Sequence, residues 1–427
     1  MSQPLPFLQT LRTGFTRSFW VANTLELFER FAYYASKAVL AVYLAEHLGL
    51  GPTTATLYAG SIFNTLIYFL PALAGTVVDR YGFRRSLMLC FSIFSVGYLI
   101  VGLAGLPVAA GLVAAVGVKT WTLVGLIVAA VGGSLIKPSI VGTCARTTTE
   151  DSRALGYSIY YSMVNVGGML GPTLAVPIRE NLGIAWVLVV ASAVSALLCL
   201  ATFLFFSEPS RPADAPPPKS FGQVLGGMFH ALSDIRFVTF LVIFSGFWLM
   251  FWHIFYALPF YVKDVLHYPR FEWVEMVGPL VIVLFTVPTA ALARRMKPIA
   301  AMTLGFAIAT SGWFVMGAIP TIEAALAGVA IFALGEALQA PRYYEYVANL
   351  APREQVGTYM GIAFLPIALG TFGTGLLAGR LVEAYKDAAQ PSHMWYVLGG
   401  IGVVTTILMV AYDRFLAPRD RAGAPAA

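Results

Sequence analysis

The sequence predicts an all-α polytopic membrane protein with twelve transmembrane helices. Of its 427 residues, 58% are apolar and 11% are charged, and the mean hydropathy is +0.77. Soluble proteins average about 45–50% apolar and about 25% charged residues. Because apolar residues exceed what a water-facing chain of this length can bury, the bilayer must be part of the solvent. An ordinary soluble globular enzyme is excluded.

The apolar segments, separated at glycines, prolines and charged clusters, number twelve, and each approaches or exceeds the roughly 20 residues that a spanning helix requires. Alternation typical of a β-barrel is absent. The predicted helices lie near residues 20–45, 54–78, 85–106, 121–145, 154–178, 184–206, 237–262, 274–293, 298–319, 323–349, 356–382 and 394–416.

The twelve predicted helices divide into two groups of six. A polar, proline-rich stretch at 207–219 cannot continue a helix and predicts an extended linker. We therefore expect an N-terminal half at 1–206, a cytoplasmic linker at 207–236 and a C-terminal half at 237–427. Most basic residues fall on the side that holds both termini and the linker. The loops of the other side hold only Lys119, Arg179, Lys263, Arg270, Arg380 and Lys386. By the positive-inside rule, both termini are cytoplasmic and the protein lies in the cell (inner) membrane, without a cleaved signal peptide.

Several classes of function are unsupported by the residues. The net charge of +6 is spread over short loops, so no nucleic-acid partner is expected. Cys90, Cys144 and Cys199 have neither disulfide nor zinc-ligand spacing. No metal, no cofactor and no catalytic constellation is predicted, and no ATP-binding loop of a primary pump is present. We expect a monomer whose partners are a small molecule, protons and the lipid bilayer, and not an enzyme.

Two six-helix halves, each built from inverted three-helix repeats, describe the major facilitator architecture, with a substrate site near the membrane midplane. The loop after the second predicted helix resembles that superfamily's cytoplasmic signature, in which glycines make the tight turn and Asp/Arg form a charge latch between the halves. A short basic loop would explain the arginines but not the Gly/Asp spacing. The motif residues are Gly75, Asp79, Arg80, Gly82, Arg84 and Arg85.

The first helix carries charges at membrane depth. At 100° per residue, one stripe about 100° wide holds Glu26, Glu29, Arg30, Tyr33 and Lys37. Each such charge costs at least about 2.5–3.5 kcal/mol, so the stripe must pair and face water or protein. Protonating a glutamate would free a cation for an anionic substrate group, which links proton binding to substrate binding. A purely structural ion-pair knot is the alternative.

These residues make the sequence resemble the proton-dependent oligopeptide transporter family. The segment Glu26-x-x-Glu29-Arg30-Phe31-x-Tyr33-Tyr34 is similar to its first-helix signature. Gly133-Ser-Leu-Ile-Lys137-Pro138 resembles its fourth-helix pattern, and the tyrosines and Asn165-x-Gly167 resemble its fifth helix. In the C-terminal half, Gly335-Glu336 and Pro341 fall at spacings similar to its tenth helix.

The resemblance implies a peptide site between the halves. The substrate carboxylate would be held by Arg30, Lys37, Lys137 and Asn165, and the pocket would be lined by Tyr33, Tyr34, Tyr68 and Tyr161. Glu336 would meet the substrate's amino group, so that a dipolar substrate bridges the halves. Proton coupling would involve Glu26, Glu29, Arg30 and Glu336. For the tyrosines, simple helix packing is an equal alternative, and Glu336 has a structural alternative as a buried, protonated acid.

The sequence also departs from the family. Its seventh helix lacks the usual acidic residue and reads Phe247-Trp248-Leu-Met-Phe251-Trp252-His253, from which we expect Trp252 and His253 to line the site. Gly278-Pro279 replaces an Asn-Pro pair in the eighth helix, and Arg342 and Glu345 add an ion pair on the tenth. The two extra helices of many bacterial members are missing.

These observations predict a divergent member with altered substrate. We expect a proton-coupled symporter of short peptides or peptide-like, carboxylate-bearing molecules that works by alternating access. A proton-coupled antiporter that exports a drug or metabolite is the alternative, favoured by the aromatic seventh helix.

Overall fold

The computed structural model describes residues 14–210, 220–352 and 355–417, and apart from one bridge between Phe15 and Thr148 its regular structure there is helical. Twelve long helical units follow one another. They are α1 Arg17–Val42, α2 Pro52–Phe69 with Pro71–Tyr81, α3 Phe83–Leu103, α4 Val118–Gly133 with Ile136–Thr147, α5 Glu150–Leu182, α6 Ile184–Phe205, α7 Ile235–Tyr256 with a continuation to Val265, α8 Glu272–Ala293, α9 Pro298–Ala318, α10 Ile322–Leu350, α11 Val356–Ile362 with Leu365–Tyr385, and α12 Met394–Phe415.

Each of the twelve predicted segments coincides with one of these units, so the predicted fold class is confirmed. Within the described residues, nine helices are long and apolar enough to cross a membrane, and the bent α2 makes a tenth. The other two are α1, which carries the charged stripe, and the 33-residue α5.

The helices α2 and α4 are broken just before a proline. The two segments of α2 meet at an angle of 43° at Leu70, directly before Pro71. In α4 the helix is interrupted between Gly133 and Ile136, just ahead of Pro138. Proline lacks the N–H that would bond the preceding turn and its ring crowds that turn, which explains both breaks. The break in α4 leads directly into Lys137.

Two short helices were not predicted. Ala110–Val116 lies between α3 and α4, and Phe221–Ala231, the linker helix, lies between the halves. The linker helix begins with a capping box, since the Ser220 hydroxyl accepts from the Gln223 N–H and the Gln223 amide oxygen accepts from the Ser220 N–H. It packs against both the Pro71–Tyr81 segment of α2 and the Val356–Ile362 segment of α11, so it touches both halves.

The two halves are joined on the membrane side opposite the linker helix, which we call the closed side. Here the Thr53 N–H and hydroxyl donate to the Glu383 carboxylate at 3.0 and 2.7 Å, and the Thr56 hydroxyl donates to the Gly375 carbonyl at 3.0 Å. A Cβ added to Gly375 would lie 2.2 Å from the Ser61 backbone nitrogen. The backbones of α2 and α11 thus touch, and small residues permit this approach.

Ion pairs complete the closed side between α5 and the α7–α8 region. Arg179 pairs with Glu272, and Arg270 pairs with Glu180 at 3.0 Å. Lys263 pairs with Glu46, which joins the end of α7 to the end of α1. On the other side, called the linker side, cavities of about 460 and about 190 Å³ separate helices of the two halves.

Some predictions fall on residues outside the described ranges. These are most of the extended linker, at 211–219, and both chain ends, at 1–13 and 418–427, together with the basic residues Arg12, Arg211, Lys219, Arg353, Arg419 and Arg421. The boundaries of the halves at 206 and 237 stay a prediction.

Candidate functional site

The charged stripe of α1 lies inside the protein. Glu26, Glu29 and Arg30 are 0%, 2% and 5% exposed. Arg30 pairs with Glu29, and its Nε lies 3.5 Å from a Glu26 oxygen. One guanidinium is therefore shared by two carboxylates, which leaves this cluster with an excess negative charge unless a proton is bound. Both Glu26 oxygens and one Glu29 oxygen have no hydrogen-bond partner among the described residues.

Lys37, two turns further along α1, contacts no carboxylate among the residues that the structure describes. Its Nζ lies 3.5 Å from the centroid of a Trp252 ring and 4.6 Å from that of Phe255. The ammonium also donates to the Tyr33 hydroxyl and the Asn64 amide oxygen, each at 3.3 Å. This cation–π contact joins α1 to α7, and such contacts contribute about 2 kcal/mol or more when desolvated.

Lys137 lies beside this cluster, and its ammonium has no hydrogen-bond or ion-pair partner in the described part of the chain. Its Nζ lies 5.6 Å from the Tyr68 ring and 5.4 Å from the Phe364 ring. Arg30, Glu26 and Glu29 are within electrostatic range of it. The Tyr68 ring in turn contacts the Trp252 ring, with centroids 5.4 Å apart. The first and fourth helices thus bring three cations near one another, and one of them, Lys37, lies on an aromatic wall from α7.

That wall follows helical spacing on α7. Trp248, Phe251, Trp252 and Phe255 repeat at i, i+3, i+4 and i+7, and their rings contact one another. The indole N–H groups of Trp248 and Trp252 are buried and have no hydrogen-bond partner within the described ranges. Both are available donors at the site.

The 460 Å³ cavity extends the site toward the linker side between α5, α8 and α10. Its size is within the usual 300–1,000 Å³ of small-molecule pockets. Tyr161 and Asn165 line it, and the Asn165 amide donates to the Tyr161 carbonyl at 2.8 Å. Across the cavity lie Pro341 and Tyr344 of α10.

Glu336 of α10 is half-buried next to this cavity. It interacts electrostatically with Tyr34, Tyr161 and Tyr344, which places it opposite the aromatic lining of the N-terminal half. No charged group lies within electrostatic range of it in the part of the chain described. Glu336 is therefore an acid without a countercharge, in the half that faces the three cations.

His253 lies apart from its neighbour Trp252. Its Nδ1 bonds the Leu249 carbonyl of its own helix at 2.7 Å, and the ring is fully buried. Because one residue turns a helix by 100°, His253 points away from the wall that meets Lys37. The structure does not bring it together with the other predicted site residues.

The basic loop motif forms the turn between α2 and α3. Gly82 has φ +84°, a conformation that other residues rarely adopt. The Glu208 carboxylate accepts from the N–H groups of Phe83 and Arg84 at 2.8 and 2.7 Å, which caps α3. Asp79 and Gly75 line the 190 Å³ cavity beside the linker helix. Arg80 and Arg85 are exposed, and in the described ranges none of these motif residues forms an ion pair, so the charge latch stays a prediction.

Sequence reasoning missed two polar residues of the site. Asn64 of α2 accepts from Tyr33 and Lys37 and donates to the Thr371 hydroxyl of α11 at 2.9 Å, so it connects the halves. Glu275 of α8 is 2% exposed and interacts electrostatically with Lys37. The sequence signal for Asn64 is a single amide side chain within an apolar segment. Glu275 has no such signal, because acidic residues are common in the first turn of a helix.

The sequence model of the Major Facilitator Superfamily matches residues 24–375. The chain belongs to this superfamily. Dipeptide and tripeptide permease A of Pectobacterium carotovorum is 31% identical over 196 residues, which is 44% of this chain and 35% of the permease. The multidrug resistance protein MdtH of Klebsiella pneumoniae is 23% identical over 345 residues, 78% of this chain and 79% of MdtH.

Solved transporter structures share the fold of this major facilitator protein. A transporter of the POT family in complex with a thioalcohol-conjugated peptide has a TM-score of 0.75 at 18% identity, covering 93% of this chain and 96% of that one. Another, in complex with 5-aminolevulinic acid, has a TM-score of 0.72 at 19% identity, with the same coverage. Together with the superfamily match, these structures confirm the predicted major facilitator fold.

Gly167 sets how closely α5 approaches α1, and this generates a prediction. A Cβ at Gly167 would lie 2.4 Å from the Arg30 Cβ, whereas one at Gly168 meets nothing closer than 3.4 Å. We expect Gly167→Ala to destabilise the protein by about 1–3 kcal/mol through overpacking and to displace Arg30. Gly168→Ala is the matched control and should keep the wild-type melting temperature in detergent. Equal melting temperatures for both variants would contradict the close contact.

Proposed function

We propose that the protein is a proton-coupled symporter of short peptides or peptide-like, carboxylate-bearing molecules. The observation that carries the proposal is the separation of charge across the site. Arg30, Lys37 and Lys137 lie on the N-terminal half. Glu336, which has no ion-pair partner among the residues described, lies on the other half. A zwitterion with its carboxylate toward the cations and its amino group toward Glu336 would neutralise both. The sequence similarity to dipeptide and tripeptide permease A further supports the proposal.

The same geometry suggests how protons and substrate are linked. With Glu29 ionised, Arg30 is occupied by its neighbour; a proton on Glu29 breaks that pair and leaves the guanidinium for the substrate carboxylate. Substrate binding and protonation then favour each other. A bound zwitterion also draws the halves together, and this biases the equilibrium between two arrangements of the transporter.

We propose that the linker side is cytoplasmic, in agreement with the basic residues on its loops, such as Arg80, Arg84 and Arg85. The closed side then faces outward, and the structure represents an arrangement with its substrate cavity turned inward. Both termini would be cytoplasmic, and the protein would act as a monomer in the inner membrane.

A second candidate is a proton-coupled exporter of drugs or metabolites. The aromatic wall of α7 favours it, because flat apolar rings accept varied amphipathic ligands, and MdtH relatives match most of the chain. Labelled peptide given to right-side-out vesicles separates the two: an inward proton gradient should drive its accumulation by a symporter, whereas an exporter leaves it outside.

Glu29 tests the proton coupling. We expect Glu29→Gln to abolish uptake driven by an inward proton gradient while substrate exchange without net transport continues, because exchange requires no cycle of protonation. Uptake and counterflow are measured in the same proteoliposomes, so counterflow is the control for folding. Undiminished gradient-driven uptake by the variant would count against a role of Glu29 in coupling.

Lys137 tests the carboxylate site. A charge-assisted hydrogen bond contributes about 1.5–3 kcal/mol, so Lys137→Ala should weaken peptide binding roughly 10- to 150-fold. Lys119→Ala, an exposed lysine on the same helix, should bind as the wild type does. Affinity is measured by thermal shift over a series of peptide concentrations. Wild-type affinity in well-folded Lys137→Ala protein would exclude the assignment.

Glu336 tests the amino-group site. Acetylating a peptide's amino group should weaken binding to the wild type more than to Glu336→Gln, because only the wild type loses a charged contact. A double cycle between ligand and residue should give a coupling of about 1 kcal/mol, modest because α7 lacks an acidic residue beside it. If free and acetylated peptides bind the wild type equally, Glu336 does not recognise the amino group.

A further inference from the structure

Glu275 lies one turn into α8, directly beneath the ion pairs of the closed side. Glu272, three residues earlier on the same face, pairs with Arg179 of α5. Glu275 itself is 2% exposed. The Arg179–Glu272 pair thus lies one helical turn from the buried Glu275 carboxyl group.

Neither carboxyl oxygen of Glu275 has a hydrogen-bond partner among the described residues. An ionised carboxylate buried without hydrogen bonds or a contacting cation loses its hydration with nothing to replace it, and such groups avoid the cost by taking up a proton. A neutral carboxyl group tolerates the position far better. The closed arrangement thus selects the protonated form of Glu275.

The charged and titratable groups around Glu275 come from four helices. Lys37 of α1 and Glu272 of α8 are within electrostatic range, and Tyr256 of α7 also interacts with it. Arg179 of α5 is engaged by Glu272. Lys37 is held by the Trp252 ring, Tyr33 and Asn64 and makes no contact with the carboxyl group. In the described part of the chain, no charged group of α10 is within range of Glu275.

We propose that Glu275 is a second proton-binding site, whose protonation closes the outward-facing side of the transporter. When α5 and α8 separate, the carboxylate is hydrated and faces Lys37. On closure, one proton from the outer solution binds the Glu275 carboxylate and gives a neutral carboxyl group. Arg179 and Glu272 then form their ion pair, and Lys37 packs on the aromatic wall. Opening returns the carboxyl proton to water. This inference rests on the alternating access of the proposed function.

The proposal predicts a pH dependence with a defined sign. Because closure takes up one proton, acid favours the closed side and alkali favours opening, and the closed-to-open ratio should change by up to tenfold per pH unit. Spin labels report the distance between the halves at Leu112→Cys and Asp387→Cys, two exposed positions of the closed side, with the three native cysteines replaced by alanine.

In labelled protein reconstituted without substrate, the wild type should open as pH rises. Glu275→Gln, which mimics the protonated acid, should stay closed at every pH. Glu323→Gln is the matched control: Glu323 is an exposed acid at the start of α10 on the same membrane side, and its variant should open as the wild type does. A second measurement, the infrared band of a protonated carboxyl group, should be present at closure and missing in Glu275→Gln.

The outcomes separate this inference from the proposed function. If the wild type opens with pH and Glu275→Gln opens equally, or if its infrared band is unchanged, Glu275 is not the proton site although alternating access stands. If the wild type shows one distance at all pH values and with peptide added, alternating access itself is contradicted.

Discussion

The cost of holding charge inside a membrane organises this structure. Arg30 cannot remain unpaired at bilayer depth, and neither can the two glutamates that precede it on α1. The arrangement with the lowest desolvation cost places these three side chains on one stripe of the helix and covers that stripe with other helices. Gly167 of α5 lets a backbone pack directly on Arg30, and the broken α4 brings Lys137 beside the same cluster. The site is therefore the place where the fold must compensate its own charges.

The contacts between the two halves differ from one side of the membrane to the other. On the closed side they associate through backbone contact and through ion pairs near the membrane surface. Water there keeps each partner partly hydrated, so the desolvation cost of each ion pair is small. At the centre the contact is made by Lys37 on the ring of Trp252. On the linker side, cavities separate helices of the two halves, and the linker helix touches both halves. The molecule is asymmetric across the membrane because its strong contacts lie on one side.

Sequence reasoning predicted the twelve helices and the charged stripe because both depend on local features, namely run length and 3.6-residue spacing. It also placed Tyr161, Asn165 and Trp252 at the site. It did not find Asn64, whose importance comes from Thr371 more than 300 residues away. Nor did it distinguish Trp252 from His253: adjacent residues point 100° apart, and only packing decides which one faces the other half. The linker helix was missed although Ser220 and Gln223 carry a recognisable capping signal.

The central contact between the halves has an energetic consequence for a protein that must separate them. Removing one member of a buried ion pair costs about 3–5 kcal/mol, because the other charge stays buried alone. A lysine on a desolvated aromatic face loses about 2 kcal/mol or more when the ring withdraws, and Lys37 keeps its hydrogen bonds to Tyr33 and Asn64, which move with its own half. An acid on α7 would bind α1 more tightly and hold the halves together. The aromatic wall instead gives a contact weak enough for the binding energy of one small substrate to shift the equilibrium between the two arrangements.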